Sequence, residues 1–420
     1  MKKLSIKFLV LNFILLLSQI TAQNINNTLG ASGVFTVKDN TNTFFSISQS
    51  NGTLSLISES AGNQRGSIFK GSNRFLHTYF PTSSDGLNTF LGLNSGNFSM
   101  AGSGSQSSYN TGVGYESLSS ITTGSYNSAY GNSSLRNNTT GYQNSSFGAW
   151  SLISNTIGIR NCAYGFSSLN ANTSGDENCS FGYYSLFSNT DGKYNSAFGT
   201  NSLRDNLSAW HNSAFGNLAL RNNTLGEYNS ALGSSALYSN TSGYYNTAVG
   251  YMSGFNITTG SNNIAIGYYA QVPTATANNQ VRIGNAGITY AGVQVAWTVT
   301  SDRRWKDNIQ LSQLGLDFIS KLNPVSYTRN NDEKQKTEFG LIAQELEEVL
   351  KEFNVENTGM LTIDDNGYYH LRYNDLIAPM IKSIQELKSE NDYLKTQNNE
   401  LMKKLLAIEK VQMELVKLIK

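Results

Sequence analysis

The chain has 420 residues, enough for two or more domains, and a formal net charge of +1. A pI near 7.6 gives no general attraction to nucleic acid or to an anionic membrane. Two cysteines, Cys162 and Cys179, exclude a disulfide scaffold, and three scattered histidines, His77, His211 and His370, offer no metal-ligand spacing, so no cofactor is expected.

Residues 1–22, MKKLSIKFLVLNFILLLSQITA, place Lys2, Lys3 and Lys7 before a short apolar run that ends in a small residue. This pattern predicts a secretory signal. A membrane anchor is the alternative, but the run is short for a spanning helix and Asn12 interrupts it. The expected product is secreted or at the cell surface, with no integral membrane segment once the signal is removed. Residues 23–87 mix Gly, Ser, Thr and Asn with scattered apolar residues, which reads as a β-rich N-terminal segment of short strands.

Residues 88–270 repeat. Asn recurs at 110, 127, 144, 161, 178, 195, 212, 229, 246 and 263, with Gly four residues after each, so the period is 17 without a slip. NTFLG at 88–92 is a divergent earlier copy. A unit this short buries no core alone, so neighbours must stack. The apolar positions alternate over short spans rich in turn formers, which predicts short strands joined by turns, with Gly at a positive-φ turn and Asn supporting turns through its side chain. No proline occurs between Pro81 and Pro273, so a continuous ladder loses no donors there.

The slot before Gly holds Tyr130, Phe147, Tyr164, Phe181, Phe198 and Phe215, then Leu232, Val249 and Ile266. A sugar-binding strip is one reading. The aliphatic continuation favours an internal core ladder. Tyr126, Tyr194, Tyr228 and Tyr245 lie near the other turn and are expected outside. Cys162 and Cys179 share one slot in adjacent repeats; free thiols are favoured over a disulfide, whose geometry stacked cysteines meet poorly. The N-[ST]-A-x-G pattern resembles the repeats of trimeric bacterial adhesin heads and phage tail-fibre shafts.

Residues 271–300 form a neck, after which the composition changes. Residues 301–420 hold 17 of the 30 Lys+Arg and 20 of the 29 Asp+Glu, which marks a separate domain. Its end, residues 376–420, has an apolar seam at Ile377, Ile384, Asn391, Asn398, Leu405, Gln412 and Ile419 on one side and Met380, Leu387, Leu394, Leu401, Ile408 and Leu415 on the other. Alternating spacings of 3 and 4 predict a self-associating coiled coil, although this mixed seam does not choose between dimer and trimer.

The succession SDRRWKDNI, LGLDFISKLNPVSYTRN, FGLIAQELEEVL and YYHLRYNDLIAPMIKSIQEL resembles the intramolecular chaperone auto-processing domain at the end of phage endosialidase tail spikes. The resemblance implies a small α+β chaperone domain over 301–375 that makes a homotrimer, drives folding of the β-rich part before it, and cuts itself off ahead of the serine of an S-D-x-R-x-K motif. Carried over, Ser301 is the nucleophile, Lys306 the general base, and the scissile bond joins Thr300 to Ser301. A serine hydroxyl needs a neighbouring base, and a lysine serves only where desolvation or cations such as Arg303 and Arg304 lower its pKa. Without the flanking motifs, the simpler reading is that Ser301 caps a short helix with Asp302 in its first turn. Trp305 departs from the aliphatic residue common in the family. His370 aligns with none of the further polar residues that some relatives employ, and Gly340–Glu345 reads as a structural helix start.

The fold class expected is therefore mostly β: a trimeric β-solenoid shaft of 17-residue repeats, then a small α+β chaperone domain and a C-terminal coiled coil. The preferred function is a secreted homotrimeric surface fibre or adhesin-like protein with a self-cleaving chaperone, whose shaft meets a surface glycan or host receptor. A glycan-acting spike is the rival, and it would need carboxylates grouped on one face; Glu116, Asp176, Glu177, Asp191, Asp205 and Glu227 are instead spread over many repeats. An uncleaved trimerisation module is the third reading. A phage tail fibre has no use for a signal peptide, which favours a bacterial exported protein.

Overall fold

The computed structural model describes residues 34–38, 43–48, 54–56 and 67–419. The expected signal, residues 1–22, lies outside the described residues. The chain divides between Asn144 and Ser145 into two compact units, each taken by itself below.

In the first unit, Val34–Lys38, Thr43–Ser48 and Leu54–Leu56 form an antiparallel meander, in line with short strands in this region. Ile68–Lys70 and Asn73–His77 make a second antiparallel pair, and the latter also pairs antiparallel with Thr89–Leu91. There the topology changes. Thr89–Leu91 runs parallel to Thr111–Val113, which runs parallel to Ser128–Tyr130. The copy at 88–92 is thus the first coil of a parallel β-solenoid.

The second unit is wound in the same way. Ser145–Phe147, Cys162–Tyr164, Cys179–Phe181, Ser196–Phe198, Ser213–Phe215, Ser230–Leu232, Thr247–Val249 and Ile264–Ile266 pair parallel and in register with the next. One further coil, Val281–Ile283, carries the winding past residue 270, with Gln280 in the asparagine slot.

Each strand is only three residues long, and its central residue is the one that faces in: Ala163, Ala197, Ala214, Ala248 and Ala265 are wholly buried. The aromatic column is therefore not the core ladder expected from the sequence. Tyr130 and Phe215 are about two-fifths exposed at 39% and 40%, and Leu232 reaches 55%. With period-2 alternation, an inward centre forces both flanking side chains outward. The column still stacks along the outside, Phe147 on Tyr164 at 4.5 Å, Tyr164 on Phe181 at 4.7 Å and Phe181 on Phe198 at 4.9 Å between ring centroids. The corner tyrosines are exposed as expected, and Tyr194, His211, Tyr228 and Tyr245 stack in sequence.

The apolar interior comes instead from leucine. Leu118 and Leu135 in the first unit, and Leu152, Leu169, Leu186, Leu203, Leu220 and Leu237 in the second, are fully buried. All of them have φ between 47° and 52°, in the left-handed region that costs an L-residue energy and that burial must offset. Asparagine does more than support turns. Asn195 is buried, and its amide donates to Asn178 Oδ1 (3.1 Å) and to the Ala209 carbonyl (2.8 Å), while its backbone N–H donates to Asn178 Oδ1 (3.1 Å). A second ladder links Asn172, Asn189 and Asn206 at 2.8–2.9 Å. These chains of amides satisfy backbone groups that a short, tightly wound coil would otherwise orphan. Glycine is needed where coils touch: Gly148 has φ +136°, and a Cβ there would lie 2.4 Å from the Gly165 carbonyl oxygen.

After the last coil, residues 289–300 run without regular structure and are exposed. The C-terminal domain then comprises α1 (Leu316–Lys321), the antiparallel pair Val325–Tyr327 and Glu338–Gly340, α2 (Ala343–Glu352), the antiparallel pair Leu361–Ile363 and Tyr369–Leu371, and α3 (Ile377–Ile419). This is the expected α+β arrangement, and α2 begins within the Gly340–Glu345 stretch as expected. Leu314, Phe318, Leu346, Leu350, Met360 and Leu376 form its core. Only the start of α3 belongs to it: Pro379 and Ser383 are buried, and Glu386 accepts the Leu316 N–H at 2.7 Å. From Leu387 to Ile419 every residue of α3 is exposed.

Candidate functional site

The junction between neck and C-terminal domain is built by one turn of 3-10 helix, Arg303–Trp305. Its N-cap is Asp302, not Ser301: the Asp302 carboxylate accepts the Arg304 N–H at 2.8 Å. This corrects the capping role read for Ser301 and leaves that hydroxyl outside the helix. Lys306 closes the turn from the other end, its N–H donating to the Arg303 carbonyl at 3.1 Å, with φ −128° and ψ 121°. The turn thus folds the chain back so that residues five apart meet. Lys306 Nζ donates to Ser301 Oγ at 2.6 Å.

Arg304 does not lend its charge to this pair. Its guanidinium reaches back to the Asp302 carboxylate, Nη2 to Oδ2 at 2.7 Å. Hydrogen bonds from the Arg304 side chain and then from its backbone N–H hold the Asp302 carboxyl below its usual range, and the same contact raises Arg304. Arg303 is the cation left next to the pair, and no ion pair of Arg303 is present among the described residues. The signal for this in the sequence is an Asp two residues before an Arg, a spacing that one 3-10 turn brings together.

Ser301, Lys306 and Thr300 are all exposed in the single chain. So is a run of large apolar side chains on both sides, Val295 at 78%, Trp297 at 76%, Val299 at 74%, Trp305 at 81% and Leu311 at 94%. His370 is placed elsewhere, on the strand Tyr369–Leu371, with Nε2 3.3 Å from Asp364. Several solenoid carboxylates are bound to cations on adjacent coils: Glu116 to Arg136, Glu177 to Arg160, and Asp176 to Lys193 at 2.6 Å. Cys162 and Cys179 are free thiols in register on adjacent strands, and burial pushes Cys162 up to about 11. Neither thiol is poised as a nucleophile. Among the described residues no helix is long and apolar enough to cross a membrane.

No curated protein and no solved structure matches the chain. Residues 301–354 match the family model of peptidase S74, described as chaperone of endosialidase, and the match begins at Ser301 itself. The C-terminal region therefore carries an endosialidase-chaperone module, preceded by a repeat-rich β-solenoid, a combination that fits a tail-fibre-like protein.

Proposed function

We propose that this chain is an exported, homotrimeric surface fibre or adhesin-like protein whose C-terminal domain joins three copies, sets the register of the repeats and cuts itself off between Thr300 and Ser301. The observation that carries the cleavage is the 2.6 Å contact of Lys306 Nζ with Ser301 Oγ at the first residue of the matched segment.

The chemistry follows from that contact. Neutral Lys306 takes the Ser301 hydroxyl proton as Oγ attacks the Thr300 carbonyl carbon. The C–N bond then breaks, Lys306 returns the proton to the leaving Ser301 nitrogen, and an ester links Thr300 to Ser301 Oγ. Water hydrolyses it, leaving a Thr300 carboxylate and a C-terminal fragment that begins with the free amino group of Ser301. Each chain reacts once.

Association is part of the same reading. An exposed lysine is stabilised as a cation, so the base must be desolvated, and the apolar residues flanking the dyad are suited to do this once copies meet around them. The α3 seam provides the means, with Leu394, Leu401, Ile408 and Leu415 at 51–61% exposure in one chain. A chain whose every 17 residues look alike can pair one repeat out at little cost. Tethering the copies at one end raises their local concentration to about millimolar and fixes one register. Once the shaft has formed, loss of the clamp leaves it held by a high unfolding barrier. Exposed aromatic columns on the coils are the surface offered to a glycan or receptor.

Native mass spectrometry of the uncleaved Ser301→Ala chain tests the assembly. Three chains per particle are expected, and a monomer at micromolar concentration would sink the proposal. The full exposure of the dyad also favours a second reading, an uncleaved association module, in which the wild type would be trimeric yet full length.

A further inference from the structure

The end of the solenoid hydrogen-bonds to the C-terminal domain, and the contact takes up the solenoid's own hydrogen-bonding pattern. In the second unit one backbone ladder runs from coil to coil with a fixed step of 17: the N–H of Thr156 donates to the Thr173 carbonyl, Thr173 to Thr190, Thr190 to Leu207, Leu207 to Thr224, Thr224 to Thr241, Thr241 to Thr258 and Thr258 to Ala275, all at 2.8–3.2 Å. By that rule the acceptor for Ala275 would be residue 292, but no coil follows. The Ala275 N–H instead donates to Asp365 Oδ2 at 2.6 Å, 90 residues away. The bond is reciprocated, since the Asp365 N–H donates to the Pro273 carbonyl at 2.9 Å. A side chain of the second domain thus takes the place of the missing coil.

The residue is presented by a hydrogen-bonded turn between the strands Leu361–Ile363 and Tyr369–Leu371. Asp364 Oδ1 accepts the N–H groups of Asn366 and Tyr368, both at 2.9 Å, and Gly367 takes the positive φ of +80° that the turn requires. A second tie comes from Asn331, whose side-chain amide donates to the Ala286 carbonyl. None of these contacts involves the peptide connection through residues 289–300.

We propose that this turn is a docking surface for the terminal coil, with Pro273–Ala275 as its partner, and that it holds the C-terminal domain on the shaft independently of the chain. Scission at Thr300 alone then leaves the domain in place, and its departure requires the Asp365 contact to break as well. This rests on the self-cleavage reading only for its biological meaning. The test makes the cut by other means, so a failure of either is told apart.

In the full-length Ser301→Ala chain, residues 292–298 are replaced by the recognition sequence of an added specific protease. After complete cutting, shaft and C-terminal fragment should co-elute on gel filtration. Asp365→Ala should separate into two species, with dissociation at least tenfold faster, while Asp365→Asn, which keeps an acceptor, should behave as the parent. Separation of the parent on cutting, or an Asp365→Ala complex as tight as the parent, overturns the proposal. Amide exchange in the uncut Ser301→Ala chain needs no variant at Asp365. Slow exchange of the Ala275 N–H is expected, and exchange as fast as that of the exposed neck overturns the contact.

Discussion

At the scale of single residues, His77 shows how the shaft's N-terminal end handles a buried base. Its Nε2–H donates to the Ser95 carbonyl at 2.8 Å, its Nδ1 accepts the Tyr79 N–H at 3.3 Å, and its ring sits 4.8 Å from Phe90 and 4.6 Å from Phe98. Burial therefore lowers the pKa from 6.5 to about 4. The unfolded chain binds the extra proton first, so the neutral ring stabilises the fold above pH 6.5 and that contribution is lost as pH falls towards 4. The full effect is about 3 kcal/mol. The thermal stability of this segment should fall as pH drops over that window, and His77→Gln should flatten the profile; an unchanged slope in the variant would assign the acid sensitivity elsewhere. Ser301 and Lys306 were legible as a pair only through their flanking motifs, because Ser-x4-Lys alone specifies no turn. The role of Asp302 was not legible in the same way, since a capping reading fits either Ser301 or Asp302 until the helix start is fixed.

At the scale of elements, the coil interior decides which substitutions matter. Leu186 is fully buried and Phe181 is part-exposed on the outside of its strand. Leu186→Ala should cost about 2–5 kcal/mol, and Phe181→Ser much less, as read by chemical denaturation. Equal losses would return the aromatic column to the core. Asn195→Asp removes the amide donors to Asn178 Oδ1 and the Ala209 carbonyl and buries a charge, so it should destabilise by about 3 kcal/mol or more; a neutral outcome would mean that the ladder contributes nothing. The period of 17, the strand slot and the turns were readable because Asn and Gly recur without a slip. The inward face was not. A three-residue strand offers no longer alternation to reveal its sides, and hydrophobicity alone points the rings inward, whereas the strand centres from residue 129 to 265 are all Ala or Ser and leucine from the following turn fills most of the interior.

The helix α3 was legible because six heptads keep the 3 and 4 spacing without a break, and the single chain leaves the seam exposed. Leu394→Asp together with Leu401→Asp should abolish self-association while leaving the 301–375 core folded, since that core uses Phe318, Leu346 and Leu376 and only the first turns of α3. A trimer that survives both changes would place the interface elsewhere.

At the scale of the whole molecule, the proposed function joins a shaft of near-identical repeats to a C-terminal domain that would associate and clamp it, with the Ser301–Lys306 pair between them. The central claim is that the clamp removes itself. The most direct measurement is the denatured intact mass of the purified wild-type protein beside Ser301→Ala and Lys306→Ala. The account predicts a wild-type shaft that ends at Thr300, a partner fragment that begins at Ser301, and both variants at full length. A full-length wild type, or scission that persists in either variant, would contradict it.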